Sequence, residues 1–316
     1  MIFINLIVLW ILTPPEVNWQ WGVGIALAAV LIYQLAIIIP YTSLTAPLQR
    51  KPGKLDNHRR LKLLTSNVLQ YNDQYHKLLN LINERDPDLV LVMESNLDWE
   101  KALAKIEDDY PYTVKEPLDN LYGMHLYSKH KLSNTEVNYL VEDDVPSIYT
   151  KVHYRQGAPL NLFCVHPAPP SPTENETSKE RDAELLLIGK KVREIDSPVI
   201  VCGDLNDVVW SRISRLFAKM TGLMDPRMGR GLYPTFSADH WYLRFPLDHL
   251  FHSKDIYVEE MDRLPHIGSD HYPMFFSLWL ENGGHANTEP ELDEDTEAEI
   301  AETIREGQES SKNKNS

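Results

Sequence analysis

The chain is poor in cysteine and has no surplus of positive charge. Its two cysteines, among 316 residues, are too few for a disulfide framework. Cys164 and Cys202 each stand in an apolar run, so we expect buried, reduced thiols rather than reactive ones. The formal net charge is −15 at pH 7, whereas proteins that grip a nucleic-acid backbone usually carry a basic surplus. Tight binding of nucleic acid is therefore disfavoured, although an acidic total leaves room for a local cationic face.

Charge is missing altogether from one stretch near the start of the chain. Residues 21–40 contain no Asp, Glu, Lys or Arg, and about 20 apolar residues suffice for a helix to cross a bilayer. Trp19 and Tyr41 flank the stretch as residues of an aromatic belt do. We predict a transmembrane helix over 21–40, with a buried core helix as the alternative. Residues 1–12 are apolar but lack the basic start of a signal peptide, so we interpret 1–41 as a membrane segment that opens with a short apolar helix.

Basic residues come directly after this segment. Residues 50–62 contain one acid, Asp56, and six basic residues: Arg50, Lys51, Lys54, Arg59, Arg60 and Lys62. Such a cluster beside a membrane exit favours the cytoplasmic side for the domain after it and suits contact with anionic lipid, while a solvated linker explains it equally well. We interpret residues 42–60 as a basic juxtamembrane linker.

Short apolar runs alternate with amphipathic stretches from Leu61 onward. The apolar runs predict strands at 61–67, 88–95, 123–129, 147–154, 160–166, 197–204, 247–253 and 274–280. Leucines and isoleucines spaced by three and four predict helices at 74–85, 97–109, 178–195 and 211–220. This mixture predicts a layered α/β or α+β domain over residues 61–280.

The end of the chain has a different composition. Residues 281–316 contain 11 acidic and 3 basic side chains, with few apolar ones. Such a segment buries too little apolar surface to offset the entropy of ordering it. We therefore predict a disordered acidic tail over 281–316.

Two loops carry the strongest chemical signals. Asp204 and Asn206 follow the apolar run 197–204, where the carboxylate suits a general base or a metal ligand and the amide can donate to a phosphate oxygen. Asp270 and His271 are adjacent in a second loop, where the histidine suits a charged stabiliser or an acid and the aspartate a cation ligand. Taken singly, a helix-capping turn or a simple turn motif explains each loop.

Other strand ends add polar groups. Asp248 heads an apolar run, where its carboxylate would be costly to bury without a partner, and we expect His271 to pair with it. Asn67, Glu94 and His166 each end an apolar run, and each alone fits a structural polar residue. Together, six strand ends supply carboxylates, amides and imidazoles without a thiolate cluster. This oxygen-rich set suits Mg²⁺ or Mn²⁺ and a hydrolytic phosphate site.

These residues occur in a recognisable order. The series is Asn67, Glu94, His166, Gly203-Asp204-x-Asn206, Asp248 and Ser269-Asp270-His271. It resembles the deoxyribonuclease I-like endonuclease/exonuclease/phosphatase superfamily over roughly residues 60–280, and membrane-anchored bacterial members look most similar. The resemblance implies a four-layer α/β/β/α sandwich, with the site at one mouth of two packed sheets, and a place in a bacterial inner membrane.

The resemblance also implies roles for the residues. The expected ligands of Mg²⁺ or Mn²⁺ are Glu94, Asn67 and Asp270. The expected phosphate-binding residues are Asn206, Asn67 and His166. The expected catalytic residues are Asp204, His271, Asp248, His166 and Asn206. Asp204 would orient or deprotonate the attacking water, and His271, paired with Asp248, would stabilise the charged transition state or protonate the leaving group.

The sequence thus leads to one favoured function and one alternative. The favoured function is a membrane-tethered, Mg²⁺- or Mn²⁺-dependent phosphoester hydrolase, either a phosphodiesterase or phosphatase or a nuclease. Its expected partners are the membrane and a phosphoester substrate that is a lipid-linked phosphate, a phospholipid or a nucleic acid, with no stable protein partner. The alternative is a non-catalytic, membrane-anchored binding module on the same fold.

Overall fold

The computed structural model describes residues 18–49, 60–154, 158–170, 177–280 and 290–314. The strands are β1 (Arg60–Asn67), β2 (Leu89–Met93), β3 (Tyr112–Glu116), β4 (Met124–Ser128), β5 (Leu132–Asn138), β6 (Ser147–Val152), β7 (Leu160–Cys164), β8 (Val199–Asp204), β9 (Asp248–His252), β10 (Ile256–Arg263) and β11 (Met274–Leu280). The helices are α1 (Asn18–Ile38), α2 (Tyr75–Arg85), α3 (Leu97–Leu103), α4 (Lys179–Arg193), α5 (Arg212–Thr221) and α6 (Glu294–Lys314). Single 3₁₀ turns follow α1 at Ile39–Tyr41 and α3 at Ala104–Ile106.

The strands and helices that the apolar runs predict are all present, and three further strands escape the pattern. Most side chains of β3 and β5 are partly or fully exposed, so no apolar face marks these strands in the sequence. In β10 the pairing register shifts between Val258 and Glu260. Such a bulge interrupts the alternation of inward and outward side chains on which the sequence pattern depends.

Two mixed sheets carry the fold. The six-stranded sheet has the order β10-β11-β1-β2-β4-β3, and the five-stranded sheet has the order β5-β6-β7-β8-β9. Each contains one parallel pair, β1 with β2 and β7 with β8, while the other neighbours are antiparallel. Because parallel strands end at the same edge, the polar residues that close β1, β2, β7 and β8 gather at one edge of each sheet.

Alternating side chains divide each sheet between two cores. In β1, Leu61 and Leu63 join the core shared by the two sheets, whereas Leu64 joins the core beneath α2 and α3. In β8, Ile200 faces the shared core and Val201 faces the core beneath α4, α5 and α6. The resulting layers are helices, sheet, sheet and helices, which confirms the α/β/β/α sandwich expected from the sequence.

The acidic end of the chain is helical, so the prediction of a disordered tail is wrong for its described part. Ile300 and Ile304, one helical turn apart in α6, are buried in the same core as α4 and α5. A Cβ atom on Gly307 would lie 2.3 Å from Cβ of Ala183, so α6 approaches α4 closely there. Composition conceals this helix because only a thin apolar stripe interrupts its acidic surface. The rest of the predicted tail, residues 281–289 and 315–316, lies outside the described residues.

The chain divides into two compact units, Met1–Leu48 with Arg227–Leu232, and Gln49–Pro226 with Tyr233–Ser316. In the first unit, Trp21–Tyr41 is long and apolar enough to cross a membrane, and none of its most apolar window is buried. This stretch coincides with the predicted span 21–40. The predicted helix over 1–12 lies outside the described residues.

Two of the basic residues that the sequence places near the membrane belong to the second unit. Arg60 opens β1, and its Nη2 lies 2.7 Å from Oε2 of Glu259. Lys62 lies within β1 and donates from Nζ to the carbonyl of Arg85 at 3.3 Å. These contacts hold both side chains against neighbouring residues of the domain that begins at β1.

We expect Ile304→Ala to lower the free energy of unfolding by about 2–5 kcal/mol, because it removes a buried side chain from the core beneath α6. Gln308→Ala, on the exposed face of the same helix, is the matched control and should change stability by less than about 0.5 kcal/mol. Denaturant unfolding of both variants measures the difference. Equal midpoints for the two variants would show that α6 does not contribute to the core.

Candidate active site

The predicted site residues lie where the parallel strands end. Asn67 is the last residue of β1, Glu94 follows β2, and His166 lies two residues beyond β7. Asp204 is the last residue of β8. The two sheets therefore bring four separate parts of the sequence to one place.

Gly203, immediately before Asp204, is required by the backbone. Its φ is +144°, and a Cβ atom built there would lie 1.9 Å from the carbonyl oxygen of Val165. A side chain at this position would collide with the neighbouring chain, whereas glycine allows the close approach. The approach brings the end of β8 against the segment that carries His166.

Asn67 joins the two sheets at the level of the site. Its Nδ2 donates to Oε1 of Glu94 at 2.7 Å and to Oδ2 of Asp204 at 3.0 Å. Its Oδ1 accepts from the backbone N–H of Leu69 at 3.1 Å. Since Asn67 is 1% exposed, its amide orients two carboxylates without competition from solvent.

His271 lies between two carboxylates. Its Nδ1 is 2.8 Å from Oδ2 of Asp248, so the pairing expected from the sequence is confirmed. Its Nε2 is 3.3 Å from Oδ2 of Asp204. The ring also contacts Phe236, with centroids 5.0 Å apart. Both ring nitrogens therefore face acceptors, which is the arrangement that a protonated imidazole requires.

The electrostatics favour the charged form of this histidine. Burial lowers the pKa of His271, but Asp204 and Asp248 outweigh burial and raise the pKa to about 10. Burial raises the pKa of the Asp204 carboxyl. The charges of His271 and His166, with hydrogen bonds from Asn206 and Asn67, oppose this effect and hold the pKa below its usual value. Asp204 and His271 thus form a buried ion pair at neutral pH.

Two further carboxyl groups are held where ionisation is unfavourable. Burial is the main cause that raises the pKa of Glu94 to about 7, and Asp270 and Asp204 add to the effect. Burial also raises the pKa of Asp270, with repulsion from Asp204 acting in the same direction despite the opposing charge of His271. Carboxylates that repel each other in this way are suited to share a hard divalent cation, which would stabilise both ionised forms.

A second possible ligand set overlaps the ion pair. Ligand atoms of Asp204, Asp248 and His271 lie within 4.8 Å of one another. The contacts of His271 favour a different use of these atoms, because a protonated imidazole between two carboxylates has no lone pair for a metal. Glu94 and Asp270, with the amide of Asn67 bonded to Glu94, form a separate set of oxygen-bearing groups beside it.

His166 and Asn206 complete the surroundings of Asp204. His166 is 2% exposed, and its Nε2 lies 3.9 Å from Oδ2 of Asp204 and 4.0 Å from Oε1 of Glu94. Asn206 has a φ of +51°, and its backbone N–H donates to Oδ1 of Asp204 at 2.9 Å. Its Nδ2 donates to the carbonyl of Pro167 at 3.0 Å. All eight predicted residues are therefore neighbours in the fold.

His249, next to Asp248 in β9, is buried beside the site. The alternation in β9 predicts a solvent-facing side chain, but His249 is 1% exposed. Its Nε2 lies 2.8 Å from the carbonyl oxygen of Asp207, in the loop after Asp204. Both faces of β9 are covered, so alternation does not distinguish an exposed side there.

Sequence reasoning also misses Arg181, in the first turn of α4. Its Nη1 donates to the carbonyl of Asn206 at 2.7 Å, and its Nη2 lies 3.3 Å from Oδ2 of Asp207. A cation near a helix N-terminus opposes the helix dipole, so contacts with Asp182 and Asp207 must compensate for this position. A charged residue in an amphipathic helix normally faces solvent, and no pattern in the sequence distinguishes this one.

Comparison with known proteins gives a family and a set of structural relatives. The sequence profile of the Endonuclease/Exonuclease/phosphatase family matches residues 64–271. A UPF0294 protein of Vibrio campbellii is 24% identical over 263 residues, which cover 74% of this chain and 82% of that protein.

The structural relatives share the fold at low sequence identity. TDP2 of D. rerio, solved as a complex with single strand DNA product, has a TM-score of 0.60 and 17% identity, over 71% of this chain and 99% of that chain. The human Nocturnin catalytic domain, solved with bound sulfate, has a TM-score of 0.56 and 16% identity, over 72% of this chain and 96% of that chain.

Proposed function

This chain belongs to the endonuclease/exonuclease/phosphatase family, and we propose that it is a divalent-metal-dependent phosphoester hydrolase tethered to a membrane through α1. The observation that carries the proposal is the buried series of Asp204, His271 and Asp248 beside the carboxylates of Glu94 and Asp270. This series combines a proton acceptor, a fixed positive charge and oxygen ligands at one site.

The balance of charge supports a requirement for a cation. Glu94, Asp204, Asp248 and Asp270 supply four carboxylates, which His271 and His166 together cannot neutralise. A phosphoester anion approaching such a site would be repelled. Glu94, Asn67 and Asp270 would hold Mg²⁺ or Mn²⁺, which when bound supplies positive charge to a phosphoryl oxygen.

Asp204 is the residue we assign to the attacking water. Its Oδ1 and Oδ2 are held by Asn206 and Asn67, so the direction of the carboxylate is fixed. Its low pKa keeps it ionised and able to accept a hydrogen bond from water at neutral pH. The proton of the water moves to Asp204 as the new P–O bond forms and the P–O bond to the leaving oxygen breaks, and the nearby charge of His271 stabilises the carboxylate until then.

His271 is the residue we assign to the charge that develops on phosphorus-bound oxygens. A raised pKa means that the imidazole is protonated before the substrate arrives, so no reorganisation is needed during the reaction. Asp248 fixes the ring through Nδ1 and leaves Nε2 directed at the site. The same Nε2–H is also placed to protonate a leaving oxygen.

Asn206 and His166 are the remaining candidates for contact with the phosphate. Asn206 is held by its backbone N–H, its carbonyl and its side chain, which keeps its amide at the mouth of the site. His166 lies against both Asp204 and Glu94. Together with Asp204, His271 and the carboxylates, these two residues support an enzyme rather than a non-catalytic binding module on the same fold.

The substrate class rests on two kinds of support. D. rerio TDP2 is known in complex with single strand DNA product, and its likeness in fold keeps nucleic acid among the candidates. The net charge of −15 and the apolar stretch Trp21–Tyr41 favour a phosphoester at a lipid surface, either a lipid-linked phosphate or a phospholipid. A bacterial inner membrane with the domain on its cytoplasmic side is the setting that the resemblance and the basic linker suggest.

The full-length protein should hydrolyse a small phosphodiester such as bis(p-nitrophenyl) phosphate when Mg²⁺ or Mn²⁺ is present. EDTA should abolish turnover, because the acidic site would otherwise repel the anion, and either cation should restore it. Release of p-nitrophenolate measures the rate. Turnover that is indifferent to the chelator contradicts the metal requirement, and phosphate binding without turnover supports the binding-module alternative.

Asp204→Asn and His271→Gln should each lower kcat for this substrate by roughly 10²–10⁴-fold, because each removes a proton acceptor or a fixed charge. Asp196→Asn and His153→Gln, at exposed positions, are the matched controls and should retain the wild-type rate. A wild-type kcat in either site variant would be incompatible with the assigned roles.

A further inference from the structure

A loop beside the site exposes several large apolar side chains. Trp241 is 81% exposed and Tyr242 58%, while Leu243 and Phe245 are about two-fifths exposed. We call these four residues the aromatic rim. Exposure of one large apolar side chain needs no explanation. Four within five consecutive positions mark a surface that binds a protein, a membrane or a ligand.

The rim is attached to the site by a defined set of hydrogen bonds. Phe236 N–H donates to the carbonyl of Phe245 at 3.0 Å, and Ser237 N–H donates to the carbonyl of Leu243 at 3.1 Å. Ala238 N–H donates to the carbonyl of Asp270 at 2.6 Å. The loop is therefore bonded to the segment that carries Asp270 and His271, and the ring of Phe236, which pairs with Phe245, contacts the ring of His271.

Cationic side chains accompany the rim. The guanidinium of Arg244 lies 5.3 Å from the ring centroid of Tyr272, and that of Arg263 lies 4.5 Å from it on the same ring. Arg244 also donates to the hydroxyl of Tyr272 at 3.0 Å. Residues 238–245 contain one arginine, Arg244, and one acid, Asp239, and Arg263 reaches the same ring from β10. The rim therefore combines exposed apolar side chains with two arginines that pack on the ring of Tyr272.

This combination matches the interface of a lipid bilayer. Tryptophan and tyrosine favour the headgroup level, where a ring meets the acyl boundary and its polar group meets water. Arginine at the same level attracts anionic headgroups. A nucleic acid would instead require a basic track along its backbone, which the acidic total of the chain disfavours. Leu243 suits insertion better than base stacking, because leucine has no π-face.

We propose that the aromatic rim inserts into the surface of a lipid bilayer and presents the phosphate of a lipid in that surface to Asp204 and His271. The second half of this proposal rests on the proposed phosphoester hydrolase function, whereas insertion of the rim does not. The implied substrate class is an amphiphilic phosphoester whose apolar part stays in the bilayer.

The test places an environment-sensitive NBD label on Leu243→Cys in the full-length protein. The native thiols of Cys164 and Cys202 are buried, so the introduced thiol is the accessible target. The protein is reconstituted in nanodiscs of phosphatidylcholine and phosphatidylglycerol. Asp196→Cys carries the label in the control, because Asp196 is exposed and precedes β8, at the strand end opposite Asp204.

The label at position 243 should show blue-shifted emission and quenching by doxyl-labelled lipid, and the label at position 196 should show neither. Adding Trp241→Ser should reduce the quenching at position 243 at least about twofold. A label at position 243 that is as exposed as the control overturns lipid insertion. A blue shift that appears only when a single-stranded oligonucleotide is added overturns it in favour of nucleic acid.

Turnover of bis(p-nitrophenyl) phosphate by the same labelled proteins separates the two claims. An active protein with an exposed label at position 243 leaves the proposed function standing and overturns the rim proposal. An inactive protein with a quenched label supports insertion and overturns the proposed function. Trp241→Ser should leave turnover of this small soluble substrate unchanged, because Trp241 contacts a surface rather than the reacting atoms.

Discussion

The imidazole of His271 lies between the carboxylates of Asp204 and Asp248, and the site depends on this arrangement. The two aspartates are direct cross-strand partners in β8 and β9, where like charges would repel each other. A protonated His271, carried by the loop before β11 of the other sheet, offsets that repulsion. The charge that would act on a phosphoester therefore also ties one sheet to the other, since neither carboxylate would be stable in the core without it.

Much of the fold and most of the site can be predicted because they depend on apolar runs and their ends. A polar side chain at the end of a buried strand, such as Asn67 or Asp204, stands out against its neighbours. Arg181 does not, because it is one charge in an amphipathic helix, and its target is the backbone of Asn206. The sequence also does not predict α6, because two buried isoleucines are too few to mark a core helix among acidic residues.

The aromatic rim cannot be predicted from apolar runs and their ends. Its residues belong to a loop with no period, so the sequence does not tell whether Trp241 is buried or exposed. The structure places it 81% exposed, on a loop bonded to Asp270. Together with the apolar stretch Trp21–Tyr41, the rim gives the chain two features suited to a bilayer, one that would anchor it and one that would bring a lipid phosphate to the site. The acidic net charge argues against tight binding of nucleic acid.

The most direct test of this account is a double-mutant cycle between Asp248 and His271, followed through kcat for bis(p-nitrophenyl) phosphate. If Asp248 acts by holding His271 charged and oriented, Asp248→Asn should lower kcat by roughly 10²-fold in the wild type and have little further effect in His271→Gln, because the two residues act as a unit. Independent action would instead make the two losses multiply, and the double variant would be slower than His271→Gln by the full factor of Asp248→Asn. That result would contradict the central role of the ion-paired histidine.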